Sequence, residues 1–429
     1  MTTQSINIPI LARVEGEGAL DLEITDGAIS KVQLRIYEPP RYFEKFLEGR
    51  SYDEVLDAVA RICGICPVAY QMSAAHAIES IFGITMQPWQ QQMRRIFYCG
   101  EWLESHALHI HMLAAPDFLG YRSAPDMAKD YPNEVRRGMR LHATGNELVK
   151  LLGARSVHPV GACVGGFYHA PAPDKVAALL EKLHAALDDA KQLVRWTASM
   201  PFPAQLQDYP CVSLRHATEY PMNEGDIVSD KGLSIPINQF DDYFKEDHIP
   251  YSTALHCLLQ GKPYLVGPLA RLNNNFDRLP PDVQTLARQT GIIWPSKNTF
   301  HSIVARAIEI YYAIGEAIRI LSQYKPNTTP RLNVKTKAGV GFGCTEAPRG
   351  LLWHRYEVDS QGVVKSSRIV PPTSQNQARI EDDLRLSLTQ FGLHHDAAKL
   401  RLHSEMVIRN YDPCISCSTH FLDLRIKRL

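Results

Sequence analysis

Four cysteines in two CxxC pairs are the side chains of this sequence best suited to bind a metal: Cys63 with Cys66, and Cys414 with Cys417. The CxxC spacing lets two thiolates reach one metal ion, so the two pairs together offer four soft ligands. Four thiolates are a usual set for zinc and for iron–sulfur clusters. A structural zinc site is therefore one interpretation. Zinc ligand pairs, however, usually lie close together in sequence, whereas these lie near opposite ends of the chain, which favours a different metal centre.

The remaining cysteines and histidines give weaker signals. A redox-active dithiol would need a CxxC that follows a strand and opens a helix, and neither pair has that context. The five isolated cysteines are interpreted as small buried hydrophobic residues: Cys99, Cys163, Cys211, Cys257 and Cys344. His106, His109 and His111 have helical spacing. We expect them to pack in a helix core rather than to bind a second metal.

Composition narrows the class of protein. The chain has 429 residues, with 46 Lys and Arg against 46 Asp and Glu, and 45% of its residues are hydrophobic. A chain of this length can bury a large core without a disulfide or metal to staple it. The equal numbers of basic and acidic residues, and the lack of a long basic run, argue against nucleic acid or an anionic membrane as partner. No stretch reaches the ~18 apolar residues of a membrane span, and the N-terminus lacks a signal-peptide pattern, so we expect a soluble protein.

The elements that must position the cysteines are mainly helical. Residues 5–37 alternate in hydrophobicity and predict an antiparallel meander with a turn at Asp26 and Gly27. Helical periodicity predicts helices near residues 54–62, 68–83, 89–114, 127–152, 173–196, 281–291 and 300–324. Residues 200–275 are expected to form loops, and residues 350–372 a hairpin. The prediction is an α+β fold, predominantly α: one domain over residues 1–429, with a long buried helix bundle and a small N-terminal sheet. A site shared by both CxxC pairs requires the two ends of the chain to meet in the core.

Five separated blocks of this sequence resemble the large, catalytic subunit of [NiFe] hydrogenases. The blocks are Arg13-Val14-Glu15-Gly16, RICGIC at 61–66, His158-Pro159 through Gly165-Gly166, Glu346-Ala347-Pro348-Arg349-Gly350, and DPCISCSTH at 412–420. The resemblance spans almost the whole chain and implies the hydrogenase large-subunit fold. The proline after the first CxxC and the PTSQNQ segment are similar to the cytosolic NAD(P)-linked bidirectional branch, which includes the sulfhydrogenase alpha subunits.

The resemblance implies a nickel–iron centre. Cys63 and Cys414 would be terminal nickel ligands, while Cys66 and Cys417 would also bridge to an iron that carries one carbon monoxide and two cyanides. Such a centre has a net charge of about −2, and a buried charge needs cations and hydrogen-bond donors nearby. By the same resemblance, the groups around the cofactor are Arg61, Arg349, Pro348 and Thr373.

The resemblance also implies a route for protons. The centre would split hydrogen heterolytically, with Cys414 as first proton acceptor and Glu15 as the group that passes the proton outward. Glu17 would share the face of Glu15, but the motif favours Glu15. Arg349 would overhang the open metal position and either polarise hydrogen or act as a base. A Mg²⁺ ion beside the centre would be bound by Glu44 and His420.

Two positions depart from the family pattern. Tyr70 stands where many relatives have a histidine that donates a hydrogen bond to a cysteine sulfur. Pro372 stands where many have a serine that donates to a cyanide, so Thr373 or a residue of the Ser374-Gln375-Asn376 run would have to supply that donor.

The C-terminus and the partners follow from the same resemblance. Family precursors lose a C-terminal extension after nickel is loaded, so residues 421–429 are expected to be removed by a maturation endopeptidase, working with nickel-insertion factors. The chain has no further iron–sulfur pattern and no Rossmann glycine fingerprint. We therefore expect an iron–sulfur small subunit and flavin- or NAD(P)-binding diaphorase subunits as partners. Two alternatives remain: a metal-free subunit like that of respiratory complex I, which the four cysteines oppose, and a zinc-binding scaffold.

Overall fold

The computed structural model describes residues 3–419, and its N-terminal part is a three-stranded antiparallel sheet. The strands are β1 (Thr3–Ile8), β2 (Gly18–Thr25) and β3 (Ala28–Ile36). Alternate side chains of β2 and β3 are buried, since one face of the sheet packs on the core. Asp26 and Gly27 both have positive φ, as the tight turn between two strands requires. The predicted meander is confirmed.

Helices are the main secondary structure of the rest of the described chain. They are α1 (Phe43–Leu47), α2 (Tyr52–Val59), α3 (Pro67–Phe82), α4 (Pro88–Leu108), α5 (Ala115–Phe118), α6 (Ala124–Met127), α7 (Pro132–Gly153), α8 (Pro173–Ala198), α9 (Phe240–Tyr243), α10 (Pro268–Asn275), α11 (Pro281–Arg288), α12 (Ser302–Leu321), α13 (Pro372–Phe391) and α14 (Ala397–Asn410). Many of them begin with a proline, whose fixed φ and missing N–H suit the first helical position.

All seven predicted helices are present, and one of them needs correction. The helix predicted over 127–152 begins only at Pro132, because the short helix α6 ends at Met127 and Tyr131 is not helical. The helix predicted over 89–114 is α4 followed by a π-helical turn, His109–Ala114. Helices α13 and α14 were not predicted. Polar side chains are buried along α13, and they obscure the apolar stripe that would have indicated a helix.

The predicted helix bundle is confirmed. Helix α4 packs against α7 and α12, and α12 packs against α8. Close approach of α4 and α7 depends on Gly145, where a Cβ atom would lie 2.5 Å from the backbone nitrogen of Glu104. Nearly every residue of α12 is buried. Within residues 3–419, no helix is long and apolar enough to span a membrane.

Small sheets complete the fold. They contain β4 (Ala162–Cys163) with β5 (Gly166–Phe167), β6 (Val212–Arg215) with β7 (Asp226–Ser229) and β8 (Ser234–Ile235), β9 (Phe244–Asp247) with β10 (His256–Leu259), and β11 (Gly339–Ala347) with β12 (Gly350–Val358) and β13 (Val364–Val370). The hairpin predicted over 350–372 is therefore confirmed as β12 and β13. The loops predicted over 200–275 instead include five short strands, whose brevity hides their alternation.

The two ends of the described chain meet in the core, as a shared cysteine site requires. Glu15 and Cys414 form an isolated parallel bridge, and the Ile415 N–H donates to the Glu15 carbonyl at 3.0 Å. The Arg41 N–H likewise donates to the Thr419 carbonyl at 2.7 Å. These contacts bring the second CxxC segment beside the first.

Candidate metal centre

Four cysteine sulfurs form one buried cluster. Cys63 lies in the turn between α2 and α3, and Cys66 directly precedes α3. Cys417 lies in the 3-10 turn Ile415–Ser418, which follows α14, and Cys414 directly precedes this turn. The Sγ–Sγ distance is 3.3 Å between Cys63 and Cys414, 3.9 Å between Cys66 and Cys417, and 2.7 Å between Cys414 and Cys417.

The cluster fits a metal shared by all four cysteines. The four Sγ atoms all lie within 4.8 Å of one another, which is close to the roughly 4.6 Å that separates two sulfurs on opposite sides of one ion at bond lengths of about 2.3 Å. Burial raises the pKa of Cys414 and of Cys417 above the ordinary thiol value, so a cation is needed to hold them as thiolates. Among residues 3–419 this is the only group of three or more Cys, His, Asp or Glu side chains with such spacing.

The first CxxC segment is fixed by backbone donors. The N–H groups of Ile65 and Cys66 point at Cys63 Sγ, at 3.3 and 3.4 Å. Glu101, which the sequence analysis missed, accepts from the Val68 N–H at 2.6 Å and from the Ala69 N–H at 3.1 Å. Its carboxyl group thereby caps the first turn of α3.

The second CxxC segment is fixed by side chains from distant parts of the chain. The thiol of Cys414 donates to Glu15 Oε2 at 3.1 Å, and the Ser416 N–H donates to the same oxygen at 3.1 Å. Gly16, with φ of 87°, permits this approach, because a Cβ there would lie 2.7 Å from the Cβ of Ile415. Glu17, the neighbour that shares the alternation, is exposed. Geometry thus selects Glu15 of the two glutamates.

Thr373 also contacts this segment. Its Oγ1 accepts from the Cys414 N–H at 3.0 Å, which leaves its hydroxyl proton available to donate. The alternative donors are engaged elsewhere: the Ser374 hydroxyl donates to the Pro371 carbonyl, and the amides of Gln375 and Asn376 donate to main-chain carbonyls.

Arg349 is buried and held by Asp412, a residue that the sequence analysis did not single out within the DPCISCSTH block. Its Nε donates to the Asp412 carbonyl at 2.7 Å, and its Nη2 donates to Asp412 Oδ1 at 2.9 Å. Nη1 is buried and has no hydrogen-bond partner among the described residues. Burial lowers the pKa of Arg349, but Asp412 and the cysteines more than offset that effect and raise it. The guanidinium therefore keeps its charge beside the sulfurs.

Arg271, also missed, holds the segment that precedes Arg349. It donates to Glu309 through Nε and Nη2, both at 2.8 Å, and to Glu346 through Nη1 at 2.7 Å. It also donates to the carbonyl of Ala347 at 2.8 Å and to that of Pro348 at 3.3 Å. Pro348 is itself buried. The sequence gives no signal for this arrangement, because its partners are far apart along the chain.

Tyr70 faces the cluster from α3 and is fully buried. Burial, together with the neighbouring sulfurs of Cys417 and Cys66, raises the pKa of its phenol well above the ordinary value. The phenol thus keeps its proton beside the sulfurs, at the position where the sequence departs from the histidine of many relatives.

Glu44 lies against β13. Its Oε1 accepts from the Ile369 N–H at 2.7 Å, and burial raises its pKa to about 7. The partner predicted for it, His420, lies outside the described residues, as does the extension predicted over 421–429. The preceding residue, Thr419, is bonded to Arg41, three positions before Glu44.

Arg61 is exposed and lines a surface cavity together with Arg41 and Phe46. The structure gives it no contact with the four sulfurs. Arg41, which the sequence analysis did not consider as a site residue, joins the two cysteine segments instead. Its Nη2 donates to the Ile62 carbonyl at 2.6 Å and also to the Ser416 carbonyl.

The three clustered histidines pack in the core, as predicted. His106 bonds Glu309 at 2.9 Å, His109 donates to the Arg409 carbonyl, and His111 bonds the Ala107 carbonyl within its own helix. All are buried. The five isolated cysteines are buried and unpaired with one another, which agrees with their interpretation as small hydrophobic residues.

Comparison with known sequences identifies the family. The profile of the family described as nickel-dependent hydrogenase matches residues 41–147 and 228–420. The chain is 34% identical to the sulfhydrogenase 1 subunit alpha of Pyrococcus furiosus, over 98% of each chain. It is 30% identical to the sulfhydrogenase 2 subunit alpha of the same organism, over 98% of this chain and 100% of the relative.

Solved structures agree. The fold is similar to that of an NAD⁺-reducing [NiFe]-hydrogenase in the H2-reduced state, with a TM-score of 0.87 and 26% identity over 97% of this chain and 99% of the other. It also matches the Ni-Fe-Se hydrogenase from D. vulgaris Hildenborough, with a TM-score of 0.80 and 22% identity over 98% of this chain and 100% of the other. These matches do not favour a zinc-binding scaffold. The chain belongs to the nickel-dependent hydrogenase family, and it is the catalytic large subunit of a [NiFe] hydrogenase.

Proposed function

We propose that the four cysteines hold a nickel–iron centre, with Cys63 and Cys414 as terminal nickel ligands and Cys66 and Cys417 as bridges to an iron that carries one CO and two cyanides. The observation that carries this proposal is the buried cluster of four sulfurs in direct contact with a carboxylate. When bound, the centre supplies the redox-active Lewis acid at which H2 is cleaved heterolytically.

Cys414 and Glu15 handle the proton. Cys414 Sγ accepts it first and passes it to Glu15 Oε2, which is 3.1 Å away and thus within direct transfer distance. The reverse path delivers protons for H2 formation. Glu15 is the general acid–base residue of this chain.

Arg349 serves as a fixed cation rather than as a base. Its raised pKa keeps it protonated, and Asp412 orients it so that Nη1 remains for the cofactor side. Pro348 lines the same segment. Thr373 would donate its hydroxyl proton to a cyanide, because its bond from the Cys414 N–H uses only an acceptor lone pair and leaves that proton available. Arg61, which is exposed, adds a positive charge outside the buried cluster.

Glu44 and His420 bind Mg²⁺ beside the centre. The support for this pair is the bond between Arg41 and Thr419, which brings the segment before His420 close to Glu44. A carboxylate oxygen is the ligand type that Mg²⁺ prefers.

The whole chain over residues 1–429 acts as one domain within a larger assembly. The relatives are alpha subunits of sulfhydrogenases, and one similar structure is NAD⁺-reducing. We therefore assign as partners an iron–sulfur small subunit and flavin- or NAD(P)-binding diaphorase subunits, in the cytoplasm. Nickel-insertion factors and an endopeptidase that removes residues 421–429 complete the maturation.

An infrared spectrum of the purified complex tests the centre. Metal-bound CO and cyanide absorb in a window in which protein hardly absorbs. We expect one carbonyl band and two cyanide bands, together with nickel and iron in the protein. A spectrum without these bands, from protein that contains zinc as its only metal, would overturn the proposal.

A further inference from the structure

We propose that Arg306 is a second counter-cation of the metal centre, behind Arg349, and that it leaves the Arg349–Asp412 pair with a net positive charge. Arg306 lies on α12, outside the segments that carry the four cysteines. The inference rests on the proposed function, because it requires a negatively charged centre bound by those cysteines.

Arg306 is a buried cation without an acidic partner. It is 1% exposed, and its Nη atoms donate only to the Ser302 hydroxyl at 3.0 Å, the Asn410 carbonyl at 3.4 Å and the Tyr411 carbonyl at 3.5 Å. Its Nε is buried and has no hydrogen-bond partner within residues 3–419. Because a buried charge is normally paired, the lack of an anion needs an explanation.

Arg306 is the exception among the buried arginines of the described chain. The others each form an ion pair with Asp or Glu: Arg94, Arg95, Arg137, Arg271, Arg349, Arg379 and Arg409. Elsewhere in residues 3–419 the fold thus supplies a carboxylate to each buried guanidinium. At Arg306 the compensating negative charge must come from a greater distance.

The immediate surroundings of Arg306 compensate only part of its charge. The two carbonyls that it binds lie at the C-terminal end of α14, where a helix carries about half of an elementary negative charge. A cavity of 20 Å³ beside Arg306 has room for about one water molecule, which hydrates a guanidinium without neutralising it. The carboxylates of Glu309 and Glu346 bind Arg271 instead.

Asp412 connects Arg306 to Arg349. Burial lowers the pKa of Arg306, the charge of Asp412 raises it and the charge of Arg349 lowers it, to about 10 overall. Arg306 therefore stays protonated at neutral pH, with both charged groups close to it. Asp412 Oδ1 accepts from Arg349 at 2.9 Å, while Asp412 Oδ2 is buried and has no hydrogen-bond partner among the described residues. Two arginines thus lie near one carboxylate.

This excess of one positive charge has the sign that the centre requires. Asp412 by itself would cancel the charge of Arg349, the arginine whose pKa the cysteines raise. With Arg306 included, the three side chains together keep one positive charge. A centre with a net charge of about −2 is stabilised by such a charge in a buried site, where Coulomb interactions act over longer distances than in water.

Infrared spectra of the purified complex under H2 test the role of Arg306. Arg306→Gln keeps N–H groups for the two carbonyls and removes the charge, whereas Arg306→Lys keeps the charge. We expect the carbonyl band of Arg306→Gln to move to lower wavenumber, because a less positive environment lets the iron donate more electron density to CO. The redox midpoint potential of the nickel should fall in the same variant. Arg306→Lys should retain both values.

Arg140→Gln is the matched control. It removes an arginine that is 59% exposed from its pair with Asp189. The carbonyl band and the midpoint potential should not change in this variant, because solvent screens the lost charge.

Thermal denaturation distinguishes a counter-cation from a residue that only caps α14. In the full chain made without nickel, Arg306→Gln removes an uncompensated buried charge, so its midpoint should equal or exceed that of the unsubstituted chain. In the loaded complex, the same substitution should lower the midpoint. Loss of a helix cap would lower the midpoint equally in both forms.

Two results would overturn the role of Arg306 and leave the proposed function standing. One is an unchanged carbonyl band and midpoint potential in Arg306→Gln, and the other is a lower denaturation midpoint of its metal-free chain. If Arg306→Gln binds no metal, the metal-free midpoint decides alone. Missing bands in the unsubstituted complex would overturn the proposed function instead.

Discussion

Two buried arginines near the metal centre differ in how their hydrogen-bond donors are used. Arg271 donates through all five N–H positions, to two carboxylates and two main-chain carbonyls. Arg349 is bonded only to Asp412, and its Nη1 has no partner within residues 3–419. Buried polar atoms are nearly always paired, so an unpaired one needs an explanation.

Arg271 therefore stabilises the fold, whereas Arg349 is available to a bound group. Arg271 also lies over the ring of Trp102, at 4.2 Å from its centroid. Burial raises the pKa of Glu309, but Arg271 and His106 more than offset this effect and bring it to about 2. Arg271 therefore has no N–H left to offer a ligand. Arg349 has one buried donor without a partner within residues 3–419, and the cysteines lie close enough to raise its pKa.

The largest expected effect comes from breaking the closed network. Arg271→Leu leaves the carboxylates of Glu309 and Glu346 buried without their cation, which should destabilise the protein by about 3–5 kcal/mol. We expect a large fall in the thermal denaturation midpoint and in the yield of folded protein. Arg50→Leu removes an arginine that is 42% exposed from its pair with Glu54, which is 54% exposed, and a surface pair of this kind is worth about 1 kcal/mol or less. Equal midpoints for the two variants would contradict the distinction.

A smaller effect on stability but a clear effect on rate is expected at the other arginine. Arg349→Lys keeps the charge and loses the planar fork that binds Asp412. Removal of one fixed donor from a reacting site costs about 100-fold in rate, so H2 oxidation per bound nickel should fall by about that factor. Arg94→Lys is the matched control, since Arg94 is also buried and binds Glu79 at 2.7 Å. If both lysine variants oxidise H2 at the same rate per nickel, Arg349 has no special role.

The smallest effect is a pH dependence shared by both regions. Burial lowers the pKa of His106, beside the Arg271 network, to about 4 and that of His109, near Arg349, to about 3. The unfolded chain binds these protons at a higher pH than the folded protein. Above about pH 6.5 both histidines are neutral in the folded and in the unfolded chain. As the pH falls below this value, the free energy of unfolding decreases by up to about 1.4 kcal/mol per pH unit for each histidine.

Buried carboxyls with raised pKa values, such as Glu44 and Glu346 at about 7, change stability with the opposite sign over this range. Thermal denaturation of the unsubstituted protein and of a His111→Gln variant between pH 7 and pH 5 therefore measures the loss, as the difference between the two slopes. His76 and His111, with pKa values also lowered to about 4 by burial, add to the slope. Substitution of the exposed His184 by Asn should leave the slope unchanged. Equal slopes for the unsubstituted protein and the His111→Gln variant would show that His111 takes up its proton in the folded protein as readily as in the unfolded chain.

The same contrast explains what the sequence could predict. The four cysteines and Glu15 were found because each lies in a short block whose residue types are distinctive. Arg61 lies in such a block too, and it is exposed. A motif therefore locates a segment more reliably than it locates every side chain within it.

The rest depends on tertiary contacts. Arg271, Glu309 and Glu346 meet only in the folded chain, and no periodicity marks them in advance. Ser416 lies within the second CxxC itself, yet its contact with Glu38 joins positions at opposite ends of the sequence. Helix α13 escaped prediction because it buries polar residues, such as Thr373, which hide its apolar stripe.

The parallel bridge between Glu15 and Cys414 fixes an order of assembly. During synthesis the N-terminal sheet and α3 emerge first, and the ribosome releases Cys417 only after nearly all of the described chain. The entropy cost of closing so long a loop grows only logarithmically with its length, but such distant pairing is slow to form. The second CxxC segment therefore docks late, and until it bonds to Glu15 and Arg41 the cluster has only two of its four cysteines.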